Sequence, residues 1–310
     1  MRVAKLKGIA DDGLLESSNV VTSSLDEYAS GTTYATDDQV KVRYKVDRST
    51  LRYPVEEYTS LADNNTGNYP PTNPSKWQLN GVSNRWAMFD GFVNTQTEKT
   101  DSIAVELDAS NTDLAGLFRL QAKEISFALS SGGEVKWSET IDLKTLSDAS
   151  WYDYFFSDWQ FQEDVLFTYT KYSDATLAIT ITWFIDELAE CGNCSIGSAI
   201  QIGNTQYEPS TGIIDYSKKT TDALGRTYLK QGNFAKRAEV ELWLYNSQVD
   251  AVRKALTDIR GTPAIFDCNN QGVNGTDYTS LVIYGFYRAF DISIPGPVLS
   301  RCSLDIEGLT

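Results

Sequence analysis

The chain contains no histidine. That absence removes Ser-His-Asp and Cys-His catalysis, and with them every histidine-ligated metal site. Any chemistry has to come from carboxylates, Lys, Tyr or Cys. No run of about 18 apolar residues occurs, so the sequence offers no membrane-spanning helix. The opening MRVAKLKGIADDG lacks a long apolar stretch and reaches Asp11 and Asp12 early, which reads against a secretory signal. Positive charge is scarce: 27 Lys and Arg stand against 42 Asp and Glu, giving a formal charge of −15. A surface this acidic repels a phosphate backbone and argues against a nucleic-acid partner.

What is present is a globular composition. Of 310 residues, 41% are hydrophobic and 12% aromatic, enough for two or three domains with real cores. Residues 1–30 are polar and irregular and read as an N-terminal arm. Residues 31–83 read as a small module. It has alternating strands at 39–46 and 56–61, and Pro70, Pro71 and Pro74 stiffen the loop that carries Tyr69 and Trp77. From 84 to 189, β-branched and aromatic runs recur at 102–107, 116–120, 124–129, 134–137, 165–169 and 175–183. Gly, Ser, Asn and Asp separate them, the pattern of an antiparallel β-sandwich.

Residues 190–235, glycine-rich, read as a linking segment. Residues 236–310 change character. A strand at 238–245 precedes a helix at 248–260, where Val249, Val252, Leu256 and Ile259 share one face. Ser247 is placed to cap that helix, and Gly261 and Pro263 to end it. Strands at 264–266, 279–286 and 301–306 complete an α+β unit. The expected fold is thus mostly β: a small β module, an antiparallel β-sandwich and a C-terminal α+β unit.

Three features invite a functional reading. The stretch DNNTGNYPPTNPSKWQ holds Tyr69 and Trp77 among amides, the residue types that stack on and hydrogen-bond a saccharide. The competing reading makes Trp77 the core of the module, with Tyr58 packed on it. The run WYDYFFSDWQF at 151–161 has seven aromatics in eleven residues, more than one strand face can bury, and suggests a protein contact. Carboxylate neighbours such as Glu56/Glu57 and Asp186/Glu187 carry little weight, because glycosidase chemistry needs a set separation across a cleft.

The third feature is the four cysteines, Cys191, Cys194, Cys268 and Cys302. A redox C-x-x-C sits at a helix N-terminus, and no helix signal follows this one. Disulfides need an oxidising compartment. A four-thiolate centre, with the C-G-N-C pair chelating from a glycine-rich turn and two thiols brought in from the C-terminal unit, is the reading carried forward. An iron–sulfur cluster (4Fe-4S) is its first form and zinc its second, with reduced structural cysteines as the alternative.

Several stretches taken together carry a family likeness: NYPPTNPSKWQLNGVSNRWAMFDG, WYDYFF, CGNCSIG, GIIDYSKKTTDALG, FAKR, IYGFYRAFDI and the ending CSLDIEGLT. In this order, over about residues 31–310, the chain resembles tail-tip (baseplate) proteins of tailed bacteriophages, many of them labelled carbohydrate-binding proteins. The resemblance implies a non-enzymatic virion protein assembled in the host cytoplasm. Its partners would be other tail-tip proteins, further copies of itself in a ring joined by the C-terminal unit, and a bacterial surface glycan. Residues 31–80 resemble a chitin-binding-type module, in which Tyr58, Tyr69 and Trp77 match the sugar-stacking aromatics; this chain adds the insert RYKVDRSTLRYP. Cys191, Cys194 and Cys302 also match family cysteines, and some related hub proteins carry an iron–sulfur cluster. A receptor-binding adhesin dedicated to glycan recognition is the rival expectation, and a depolymerase a distant third.

Overall fold

Alternating apolar residues at 103, 105 and 107, at 125, 127 and 129, and at 177, 179 and 181 put one apolar face on each of three adjacent strands. The computed structural model describes residues 1–8, 14–44, 55–145, 160–206, 208–269 and 278–310. In it these strands form a five-stranded antiparallel sheet in the order Glu134–Asp142, Glu124–Ser131, Thr176–Thr182, Ser102–Asp108, Leu15–Ser18. Facing it is one end of a larger antiparallel sheet. That sheet runs Val165–Thr168, Leu114–Gln121, Leu188–Gln201, Arg2–Lys7, Ala264–Asp267, Val282–Ser293, Leu299–Gly308, Phe234–Tyr245, Asn204–Thr205. The protein is mostly β, as its patterning predicts, with a sandwich at one end of the large sheet.

Two cores sit on one face of the large sheet. The sandwich core joins Ile103, Ile125, Phe127 and Ile179 of the small sheet to Leu117, Leu120, Phe167 and Ile196 of the large one. The second core gathers Val3, Leu242, Phe266, Ile283 and Leu304 under the helix Val249–Asp258, which contributes Val252 and Leu256. Ile196 belongs to the first core and Ile202 to the second. Six residues apart near the end of one strand, they point to the same side of the sheet. A smaller apolar layer, with Ala4, Phe118, Ile265 and Tyr284, covers the opposite face.

This arrangement revises two segments. Residues 190–235 do not simply link the sandwich to the C-terminal unit, because Leu188–Gln201 is a fourteen-residue strand inside the sheet that both share. Residues 191–197 are buried on both faces, so the polar/apolar alternation that betrays a half-buried strand is missing there. Nor are residues 1–30 a free arm. Arg2–Lys7 pairs on one side with Leu188–Gln201 and on the other with Ala264–Asp267; Leu15–Ser18 joins the five-stranded sheet; and Glu27 bridges to Lys41 of the small module. The N-terminal stretch therefore touches every part of the fold.

The helix agrees with its apolar spacing, but not with a Ser247 cap. A 3-10 turn, Asn246–Gln248, leads into it, and Gln248 at the cap position makes no side-chain cap hydrogen bond. Gly261, with φ of 67°, follows its end. Of the insert at 43–54 only Arg43 and Tyr44 are described, and of the aromatic run at 151–161 only Gln160 and Phe161.

Arg2–Lys7 has strands on both sides, so Ala4, which pairs with Ala199 and Ile265, is a severe place for proline. Proline would delete a ladder hydrogen bond and clash with a neighbouring strand. Ala4→Pro is expected to lower stability by about 3 kcal/mol or more, read as a large fall in melting temperature. A variant as stable as the parent would show that this strand is dispensable.

Candidate functional site

The three aromatics expected to bind sugar occupy unlike environments. In the small module, the strands Gln39–Arg43, Val55–Ser60 and Trp77–Val82 form one antiparallel sheet around a core of Tyr34, Val40, Val42, Tyr58 and Trp77. Trp77 is only 2% exposed, and its indole Nε1 donates to the Asn68 carbonyl at 2.8 Å. The rings of Tyr34 and Tyr28 meet it edge-on at 5.2 and 5.9 Å. Tyr58 is buried too; its hydroxyl donates to Glu56 Oε2 at 2.7 Å and lies 2.8 Å from the Tyr44 hydroxyl. Burial and this hydrogen-bonded chain drive the Tyr44 phenol far above its usual value. Tyr58 and Trp77 thus present no ring face to a ligand, and they hold the module together instead. A module this small has few other large apolar groups to build a core from.

Tyr69 differs. It is 41% exposed, at the head of the 3-10 turn Pro70–Thr72, and its carbonyl accepts from the Thr72 amide and the Asn73 side chain. The edge contact of its ring with Tyr28, at 5.7 Å between centroids, steadies the side chain. Of the three sequence-predicted residues, only Tyr69 is available to stack on a sugar.

The cysteines do not converge. Cys191 and Cys194 lie in the sandwich core, Cys268 and Cys302 in the second core. Asp267, next to Cys268, is level through Arg2 with Gln201, seven residues along the strand from Cys194, which is roughly 23 Å at ~3.3 Å per residue. Among the described residues, no three Cys, Asp or Glu side chains are placed to share a metal ion. All four thiols are free and buried. Burial pushes Cys194 up to about 12 and Cys302 up to about 11, and raises Cys191 and Cys268 strongly. In this arrangement the two pairs are too far apart for the single four-thiolate centre expected from the sequence.

The C-G-N-C spacing has a packing explanation. Residues three apart on a regular strand point to opposite faces. Here Ala189 and Cys191 face the sandwich core, and so do Cys194 and Ile196, so the strand changes phase between them. The paired strand does the same: Ala115 and Leu117 face that core, then Leu120 and Ala122, with Arg119 between them at a φ of 52°. Over this step lies the loop after the short helix Asn84–Ala87. The Met88 carbonyl accepts from the Cys194 amide at 2.7 Å, and the Val93 carbonyl sits where a Cβ on Gly192 would meet it at 2.5 Å. Glycine is the residue that allows that approach.

The same loop holds Asp90, which the sequence reading passed over, although the Asp-Gly pair at 90–91 is a turn signal. Asp90 accepts from the Phe92 amide and the Thr95 hydroxyl. Burial outweighs these bonds and pushes its carboxyl up to about 6. Beside the loop, a cavity of about 350 Å3 opens between the two halves of the large sheet, bordered by Phe118, Arg119, Asp164, Lys236 and Tyr284. Two of its charged groups have partners: Arg119 donates to Asn94, and Lys236 pairs with Asp164. The volume suits a small ligand.

No protein-family model matches the chain, and no curated protein sequence matches it. Among the described residues, no helix is long and apolar enough to cross a membrane.

Two outcomes follow. None of the four thiols should react with a bulky thiol reagent in the native protein, even near pH 9, and all four should react in denaturant. Gly192→Ala should then expose Cys194 to the reagent, because the added methyl pushes the Val93 segment away. Prompt labelling of the parent would contradict the packing described. For Asp90, the folded value lies above the usual 3.8, so its stabilising contribution is complete below about pH 4 and is lost as pH rises through about 6. Asp90→Asn should remove that part of the pH dependence, measured by denaturant melts across the range.

Proposed function

We propose that the protein is a non-enzymatic structural component of a bacteriophage tail tip, with a small module that contacts host-surface glycan. The observation that carries this reading is where the family-like motifs fall. CGNCSIG, IYGFYRAFDI and CSLDIEGLT occupy the strands Leu188–Gln201, Val282–Ser293 and Leu299–Gly308 of the shared sheet. GIIDYSKKTTDALG occupies a hairpin that projects from that sheet. These motifs lie on scaffold strands and on a surface hairpin, a placement that supports a task of assembly. In this reading further copies and other tail-tip proteins are its partners, and the virion is its location.

The adhesin reading, in which glycan recognition is the main task, draws on a single feature, the exposed Tyr69 ring on its proline turn. One stacked ring supplies little affinity by itself, so glycan contact is secondary here and gains from repetition around a ring of copies.

Tail particles isolated from the phage that encodes the chain provide the test. An antibody against the protein should decorate one end of the tail, the tip. Decoration elsewhere, or none, overturns the assignment. On a glycan array, Tyr69→Ala should abolish binding without changing the melting temperature, whereas Trp77→Ala should destabilise the module by about 3–5 kcal/mol. Binding unchanged in Tyr69→Ala would remove the glycan role.

A further inference from the structure

The hairpin that leaves the large sheet is chemically unlike the rest of the chain. Ser210–Asp215 pairs with Phe234–Tyr245, and the ribbon then continues alone as Lys218–Thr221 against Thr227–Lys230. It is well formed. The Asp222 carboxylate accepts from the Leu224 and Arg226 amides, and Gly225, at φ of 81°, completes the turn. Its base is tied down by a hydrogen bond from Tyr216 to Glu307. Yet every residue of its two outer strands is exposed, on both faces.

Two-stranded ribbons without a covering layer are marginal in water, and this one carries further handicaps. Lys218 stands directly opposite Lys230, a like-charge pair that disfavours the ribbon. Leu224, Leu229 and Tyr228 are 80%, 78% and 57% exposed. Lys218, Lys219, Arg226 and Lys230 against Asp222 give residues 216–232 a charge of +3; taking this from the chain's −15 leaves −18 on the remainder. None of these four cations is in an ion pair among the described residues.

We propose that the hairpin at residues 216–232 docks on the acidic body of a second copy of this chain, its lysines meeting carboxylates there and its leucines and tyrosine becoming covered. Charge complementarity selects the occupant: the basic hairpin finds in another copy the surface of opposite sign that its own fold does not bring to it. The contact is head-to-tail, a donor arm on one copy and an acceptor surface on the next, and such contacts close into rings or extend into filaments. The proposal stands on the hairpin's own chemistry and does not rest on the tail-tip reading.

Sedimentation of the full chain tests it at about 0.15 M salt, where screening over about 8 Å mutes overall repulsion between acidic copies but leaves contact pairs. The parent should associate with increasing concentration. The triple variant Lys218→Glu, Lys219→Glu, Lys230→Glu should associate about tenfold or more weakly, with an unchanged melting temperature. A second variant, with residues 218–231 replaced by Asn-Gly, guards against a charge effect elsewhere and should also be monomeric. Carbodiimide cross-linking of mixed light and heavy isotope-labelled protein should join hairpin lysines to carboxylates of the other copy. A parent that stays monomeric at about 100 µM, above the micromolar range of weak specific contacts, overturns the proposal. So does association that survives both variants, or intermolecular cross-links that avoid the hairpin.

Discussion

The strand Leu188–Gln201 is the constraint on which the rest of the structure depends. Its first half pairs with Leu114–Gln121 and closes the sandwich, and its second half pairs with Arg2–Lys7 and through it reaches Ala264–Asp267. The sandwich core covers one side of the strand's middle and the smaller apolar layer of the opposite face adjoins the other, so residues 191–197 have no solvent face; they are small or apolar apart from Asn193, whose side-chain oxygen accepts from the Ser195 hydroxyl at 2.6 Å. Gly192 lets the Val93 carbonyl in, Gly197 lets the Lys5 carbonyl in, and the cysteines fill the sandwich side. Cysteine here acts as a compact hydrophobe, the commonest role for a buried thiol.

That constraint explains which parts of the fold could be read in the sequence. The strands Ser102–Asp108, Glu124–Ser131 and Thr176–Thr182 alternate because one face meets solvent, and the helix shows its apolar stripe for the same reason. Within the strand Leu188–Gln201, the residues from 190 on read as part of a glycine-rich link because burial on both sides erases alternation. Arg2–Lys7, with Lys at positions 5 and 7, looks like a polar arm; only its neighbours in space reveal a central strand.

The candidate sites follow the same logic. Residue types were visible, but not the direction in which each side chain points. Trp77 and Tyr69 sit eight positions apart in a loop rich in amides, and one is core while the other is surface. The C-G-N-C spacing suits metal chelation, redox chemistry or a strand that changes phase, and the burial of both cysteines on one side of the strand, beside Arg119 with its positive φ, matches the last. Among the described residues, Tyr69 on the small module and the basic hairpin stand out as exposed and chemically distinct.

The central claim is that the segment holding the two cysteines is the shared interior strand of the fold. Native-state hydrogen exchange tests it most directly. Amides of residues 191–199 should be among the slowest in the protein and should exchange together with those of Arg2–Lys7 and Ala264–Asp267, through opening of the whole sheet. Exchange of residues 191–199 that is fast and independent of those two strands would mean a loop or a separate site, and would contradict the account.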